Sequence, residues 1–240
     1  MNQRDAAYPR TSRLSRRRFL GLAGVGAGLS VVPVKRGAAQ GTSAPVKGGT
    51  LVVGAETMGD NFVPVVTFQG FGKTWVSNNV FETLYTFRDF KSLIPALATS
   101  YTVSPDGLVY TFVLRRGVKF HDGTPFNAEA VEFNYMRYLD KDHPFHEPNA
   151  VFRTSILPAV KSVKAKEEYV VEIIRDKPSA SFVANLTSWQ AGIMSPTAIR
   201  KHGVQDAGRF PVGTGPFVFE KAEKGSQAVI RASGSVKRMS

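Results

Sequence analysis

The chain has 240 residues, a formal charge of +12 from 31 Lys and Arg against 19 Asp and Glu, and no cysteine. The missing cysteine excludes disulfides and an acylated cysteine anchor, so stability must come from the core. The charge invites a nucleic-acid reading, but residues 1–39 hold eight Lys and Arg against one acid, and the remaining 23 basic and 18 acidic residues leave a scattered +5.

In chain order, the first forty residues read as a twin-arginine export signal. Arg16 and Arg17 lead into Phe19 and Leu20, and a Gly- and Ala-rich apolar run continues to about Val32. That run is shorter than the roughly 20 apolar residues a spanning helix needs, and Pro33, Lys35 and Arg36 end it. Gly37-Ala38-Ala39 supplies small side chains for cleavage near Ala39. The remaining chain is expected to be soluble and periplasmic, after a polar linker over residues 40–48.

Gly48-Gly49 opens an expected strand, Thr50 to Ala55, whose apolar run predicts burial on both faces. A loop follows, from Glu56 to about Phe71. Val76, Val80 and Leu84, with Trp75, Phe81 and Tyr85, predict a helix over Lys73–Phe87. Leu97–Val103 and Val109–Leu114 flank Ser104-Pro105-Asp106-Gly107 as a hairpin. Val118–Phe120 predicts a short strand, and Asn127 caps a helix over Ala128–Leu139. Val160–Ala165 and Tyr169–Ile174 form another hairpin, and Ser179–Leu186 a short helix. Ser195-Pro196 begins a helix that ends near Gly203. Phe217–Glu220 and Gln227–Ile230 close the pattern as a hairpin around Lys224-Gly225. Strands and helices mix without strict alternation, which fits α/β or α+β.

No catalytic or metal constellation emerges. His121 and Asp122 are adjacent, and in extended backbone they face opposite ways, so Asp122-Gly123-Thr124-Pro125 reads as a turn rather than an acid–base pair. His143 and His146, with Asp140, Asp142 and Glu147, match no metal-ligand spacing and read as a solvated loop. Gly213-Thr214-Gly215-Pro216 lacks the Gly-Lys-Ser/Thr ending of a phosphate loop. An exported hydrolase using His121 with Asp122 or Asp106, and a basic nucleic-acid binder, are the competing readings.

Three blocks carry a resemblance: Gly48-Gly49-Thr50-Leu51-Val52-Val53; the long stretch from Val80-Phe81-Glu82-Thr83-Leu84-Tyr85 to His121-Asp122-Gly123-Thr124-Pro125-Phe126-Asn127-Ala128-Glu129; and Pro211-Val212-Gly213-Thr214-Gly215-Pro216-Phe217. In this order they resemble the dipeptide/oligopeptide/nickel-binding proteins of ABC importers, solute-binding family 5. The resemblance implies a type II periplasmic-binding clamshell of mixed α+β structure, with a small domain appended to the first lobe. It places residues 49–70 in lobe one, 71–185 mainly in the appended domain and 186–231 in lobe one again. Residues 232–240 do not match, so lobe two is expected to be missing and the product truncated, with weak binding as the consequence. The resemblance further implies no enzyme activity and no cofactor. A small solute, most simply a peptide, is the expected ligand, and ABC permease membrane subunits and the twin-arginine machinery are the expected partners of a monomer. Its expected ligand contacts are Glu56, Thr57, Asn61, Phe62 and Trp189.

Overall fold

In the computed structural model, the residues described are 48–55, 61–64, 70–89, 91–148 and 156–234. The export signal, Glu56 and Thr57 lie outside them. The chain divides into two units, Met1–Leu51 and Val52–Ser240, and the elements below belong to the second.

The architecture follows from alternation in two strands. β3 (Ala98–Val103) turns at Ser104–Gly107 into β4 (Val109–Leu114), while β5 (Val160–Glu167) turns into β6 (Val170–Arg175). The four make one antiparallel sheet in the order β3-β4-β6-β5. In the two central strands, Tyr110, Phe112 and Leu114 alternate inward with Val171, Ile173 and Arg175. Tyr110 faces Ile173 and Phe112 faces Val171 across the ladder, so the buried residues align in rows. Helix α2 (Ala128–Leu139) covers β5 and β6. Its first turn is closed by Asn127, whose Oδ1 accepts from the Ala130 N–H at 3.0 Å. Val131, Tyr135 and Tyr138 then fall on the buried stripe.

The remaining elements are smaller. Helix α1 (Gly70–Val80) precedes the hairpin β1 (Tyr85–Arg88) and β2 (Ser92–Pro95). After the sheet come the short helix α3 (Phe182–Asn185), a 3-10 turn at Trp189–Ala191, and α4 (Pro196–Asp206). The hairpin β7 (Phe217–Glu223) and β8 (Gln227–Ala232) follows. Gly203, at φ 74°, breaks the helical backbone of α4 where its end is expected, although the helix resumes to Asp206. Among the described residues no helix is long and apolar enough to cross a membrane.

Three expectations are corrected. The helix over Lys73–Phe87 starts earlier and stops at Val80, and residues 85–87 belong to β1. The Val80 carbonyl is taken by the Gly215 N–H at 2.9 Å, and the β-forming run Tyr85, Thr86 and Phe87 pairs with β2 instead of winding on. Thr50–Ala55 forms no strand, and Leu51, Val52 and Val53 are 82%, 87% and 38% exposed. An apolar run becomes a strand only against a partner ladder, and no described strand pairs with it. Val118–Phe120 is reduced to a single bridge, Lys119 with Pro125.

Candidate functional site

Two of the three sequence blocks meet at the C-terminal end of α1. The loop Gly213–Gly215 lies directly on that helix end. A Cβ on Gly213 would sit 2.0 Å from the Val80 carbonyl oxygen, so only glycine permits this approach. The loop therefore meets carbonyl oxygens, the negative end of a helix, and is unsuited to phosphate. His121 ties the sheet corner to the same loop: its N–H donates to Gly213 O at 2.9 Å and its Nε2 lies 2.8 Å from Gly215 O. Burial holds the imidazole below its usual value, so it is neutral at pH 7. Asp122 turns away, accepting from the Thr124 N–H at 3.0 Å and from the Ser195 hydroxyl. Burial alone would raise the Asp122 carboxyl, but the hydrogen bonds from Ser195 and Thr124 hold it below the usual carboxylate range. Ser195 in turn caps α4 through the Ala198 N–H at 3.2 Å. His121 and Asp122 thus clamp two different segments and share no proton.

Of the expected ligand residues, Asn61 and Phe62 share the neighbourhood of Gly208, and Trp189 lies on a different element. Asn61 Oδ1 accepts from the Val63 N–H at 2.9 Å, which shapes its own turn. Phe62 is fully buried, with its N–H on Gly208 O at 2.8 Å and its ring 5.4 Å from Phe219. Trp189 is half-buried on its 3-10 turn, which packs against α1. Two open cavities, of about 460 and 190 Å³, are lined by Leu157, Val160 and Lys161 in one case and Asn127, Thr197 and Arg200 in the other; neither includes Asn61, Phe62 or Trp189. One well-anchored residue escaped the sequence reading. Asn134 is fully buried and bonds to both polar backbone groups of Met194. Its signal was legible: a polar residue three after Val131 and four before Tyr138, on the apolar stripe of its helix.

Comparison with known proteins places this arrangement. Residues 92–234 match the bacterial extracellular solute-binding proteins, family 5 Middle. The chain belongs to this family. Among curated relatives, glutathione-binding protein GsiB of Pectobacterium atrosepticum is 38% identical over 60% of the chain and 27% of its own length. Di/tripeptide-binding protein 2 of Pseudomonas aeruginosa is 32% identical over 74% of the chain and 36% of its own length. Among solved structures, the ABC transporter-associated periplasmic binding protein DppA from Helicobacter pylori, in complex with peptide STSA, superposes with a TM-score of 0.66 at 30% identity. That match covers 74% of the chain and 38% of the DppA chain. The mixed α/β fold is thus that of type II periplasmic binding proteins, and the chain spans about a third of the length of these relatives.

In this family-5 chain the loop after α2 spends its polar groups on backbone. His143 Nδ1 accepts from the Phe145 N–H at 3.1 Å while its ring meets Phe133 edge-on at 5.1 Å. His146 Nδ1 lies 3.1 Å from the Arg137 carbonyl, and Asp140 accepts from the Asp142 N–H. Among the described residues no group of three or more His, Asp or Glu is placed to hold a metal ion.

Proposed function

We propose that this chain is the substrate-binding component of an ABC importer for peptides or similar small solutes. It would work in the periplasm after export through Arg16, Arg17, Phe19 and Leu20 and cleavage near Ala39. The observation that carries this reading is the family match over residues 92–234, together with relatives that are named for binding glutathione and di- and tripeptides. The part present supplies a first lobe with its appended domain. One side of a ligand would rest on the segment from Glu56 to Asn61 and on Trp189, with Phe62 anchoring that segment from below against Phe219. The chain acts as a monomer, presents its solute to permease membrane subunits, and catalyses nothing: His121 and Asp122 are already engaged by Gly213, Gly215 and Ser195.

A clamshell gains affinity by burying its ligand between two lobes. One lobe alone should bind in the millimolar range, about 4 kcal/mol. Saturation-transfer NMR on residues 40–240 with tri-alanine and with glutathione tests this. The expected result is transfer to at least one of them with no cleavage product. Hydrolysis, or no transfer to either, overturns the reading. Replacing Arg16 and Arg17 by Lys should abolish delivery to the periplasm, read by fractionation, and unchanged delivery would overturn the export route.

A further inference from the structure

Residues 191–194 are held by groups from outside their own segment, on Asn134, Tyr135 and Glu82. Asn134, in the middle of α2, accepts from the Met194 N–H at 3.1 Å and donates to the Met194 carbonyl at 2.8 Å. It also donates to Ala130 O at 2.8 Å, so both amide protons are used. The next residue, Tyr135, places its hydroxyl 3.3 Å from the Ala191 carbonyl. From the other side, the Ile193 N–H donates to Glu82 O at 3.0 Å. Gly192 lies between them with no spare room, since a Cβ there would come within 2.9 Å of Phe81 Cβ and 3.1 Å of the Trp189 carbonyl. Four successive residues are therefore fixed in height and in rotation.

The Trp189–Ala191 turn ends in this held segment, and the Gly192 N–H closes it on Trp189 O at 3.1 Å. An apolar side chain would fill position 134 with less desolvation, because asparagine competes with the helix backbone and brings polar atoms into the core. A buried amide whose bonds are all satisfied specifies one arrangement in preference to its neighbours. We propose that Asn134 and Tyr135 are positioning residues of the ligand site, through which α2 sets the place of the Trp189 side chain. This rests on the reading of Trp189 as a ligand-facing residue. It assigns the sheet-and-helix layer a part in recognition: α2 acts as the ruler for a turn that belongs to another segment.

The test uses the full chain with Trp75→Phe, which leaves Trp189 as the one tryptophan. Tyr135→Phe removes the hydroxyl's bond to the Ala191 carbonyl and keeps the ring. Asn134→Asp keeps the shape and removes both donors. Val171→Ala, in β6, serves as a variant that loosens the sheet without touching this segment. Acrylamide quenching of Trp189 is read well below the melting temperature, and tri-alanine affinity by saturation transfer. Tyr135→Phe and Asn134→Asp should raise the quenching constant, shift the emission to the red and weaken tri-alanine binding by about three- to ten-fold, the equivalent of one net hydrogen bond. Val171→Ala should lower Tm and move neither readout. Quenching that stays at the parental value in Tyr135→Phe overturns the proposal, even where Asn134→Asp fails to fold. Raised quenching with parental affinity upholds the positioning role and removes Trp189 from the ligand site. Absence of both tri-alanine and glutathione binding in the parent removes the binding reading itself, and the quenching arm still decides the positioning role.

Discussion

Phe112 and Phe62 are both fully buried, yet the regions around them differ in construction. Phe112 lies on a central strand with partners on either side, opposite Tyr101 on β3 and Val171 on β6, and its ring is 5.7 Å from Tyr101 and 6.3 Å from Tyr85. Phe62 meets Phe219 of the β7–β8 ribbon, in which every described residue is half-exposed or exposed. A two-stranded ribbon is marginal by itself, whereas four strands under a helix hold one another in rows. Equal burial therefore does not mean equal rigidity, and rigidity decides what a cavity costs. Phe112→Ala should cost about 3–5 kcal/mol, and Phe62→Ala should fall at or below the lower end of that range because the ribbon can settle into the space. Urea unfolding of both variants checks this, and equal losses would break the contrast.

Glycine substitutions sharpen it next. Gly213→Ala drives a methyl group into the Val80 carbonyl in the packed region, an overpacking cost of about 1–3 kcal/mol. Gly225, in the β7–β8 turn, has φ +70° and open space around it, so Gly225→Ala should cost only the left-handed strain of about 1 kcal/mol. Melting curves of the two variants should keep that order.

A pH series probes the interlock with a smaller effect, because nothing is displaced. Burial depresses His121 in the folded chain, so between its folded value and the ordinary value of about 6.5 the unfolded chain binds more protons. Stability is then full above pH 6.5 and declines as pH falls toward the folded value. His121→Gln should flatten that part of the profile relative to the parent. An unchanged slope would mean that another group carries it, His143 being the nearest in kind, since burial and then Arg137 also hold it down.

How much was legible in the sequence follows the same division. The hairpin at Ser104–Gly107 and the Asn127-capped helix were readable because turn, cap and alternation are local signals, written within a few residues of the element they specify. The end of α1 at Val80 was not readable, because the group that takes its carbonyl is Gly215, more than a hundred residues away. Thr50–Ala55 misled for the related reason that a short apolar run reports a strand's preference and says nothing of whether a partner is at hand. At the candidate site, the structural roles of His121 and Asp122 could be argued from their adjacency. The hold of Asn134 on Met194 could not, since only the fold brings residues 134 and 194 together.

The smallest expected effect lies on the ribbon itself. Arg231 Nε donates to Glu220 Oε1 at 2.9 Å, with side chains 61% and 43% exposed. Solvent screening limits such a pair to about 0.2–1 kcal/mol, and added salt should reduce it further. A double-mutant cycle with Arg231→Ala and Glu220→Ala, repeated at low and high salt, measures the coupling directly. A small, salt-sensitive value fits a ribbon that stands open to water. A coupling well above 1 kcal/mol that resists salt would mean the ribbon is covered in solution, and the contrast with the four-stranded layer would then vanish, because the charges could hold that energy only if water were kept from them.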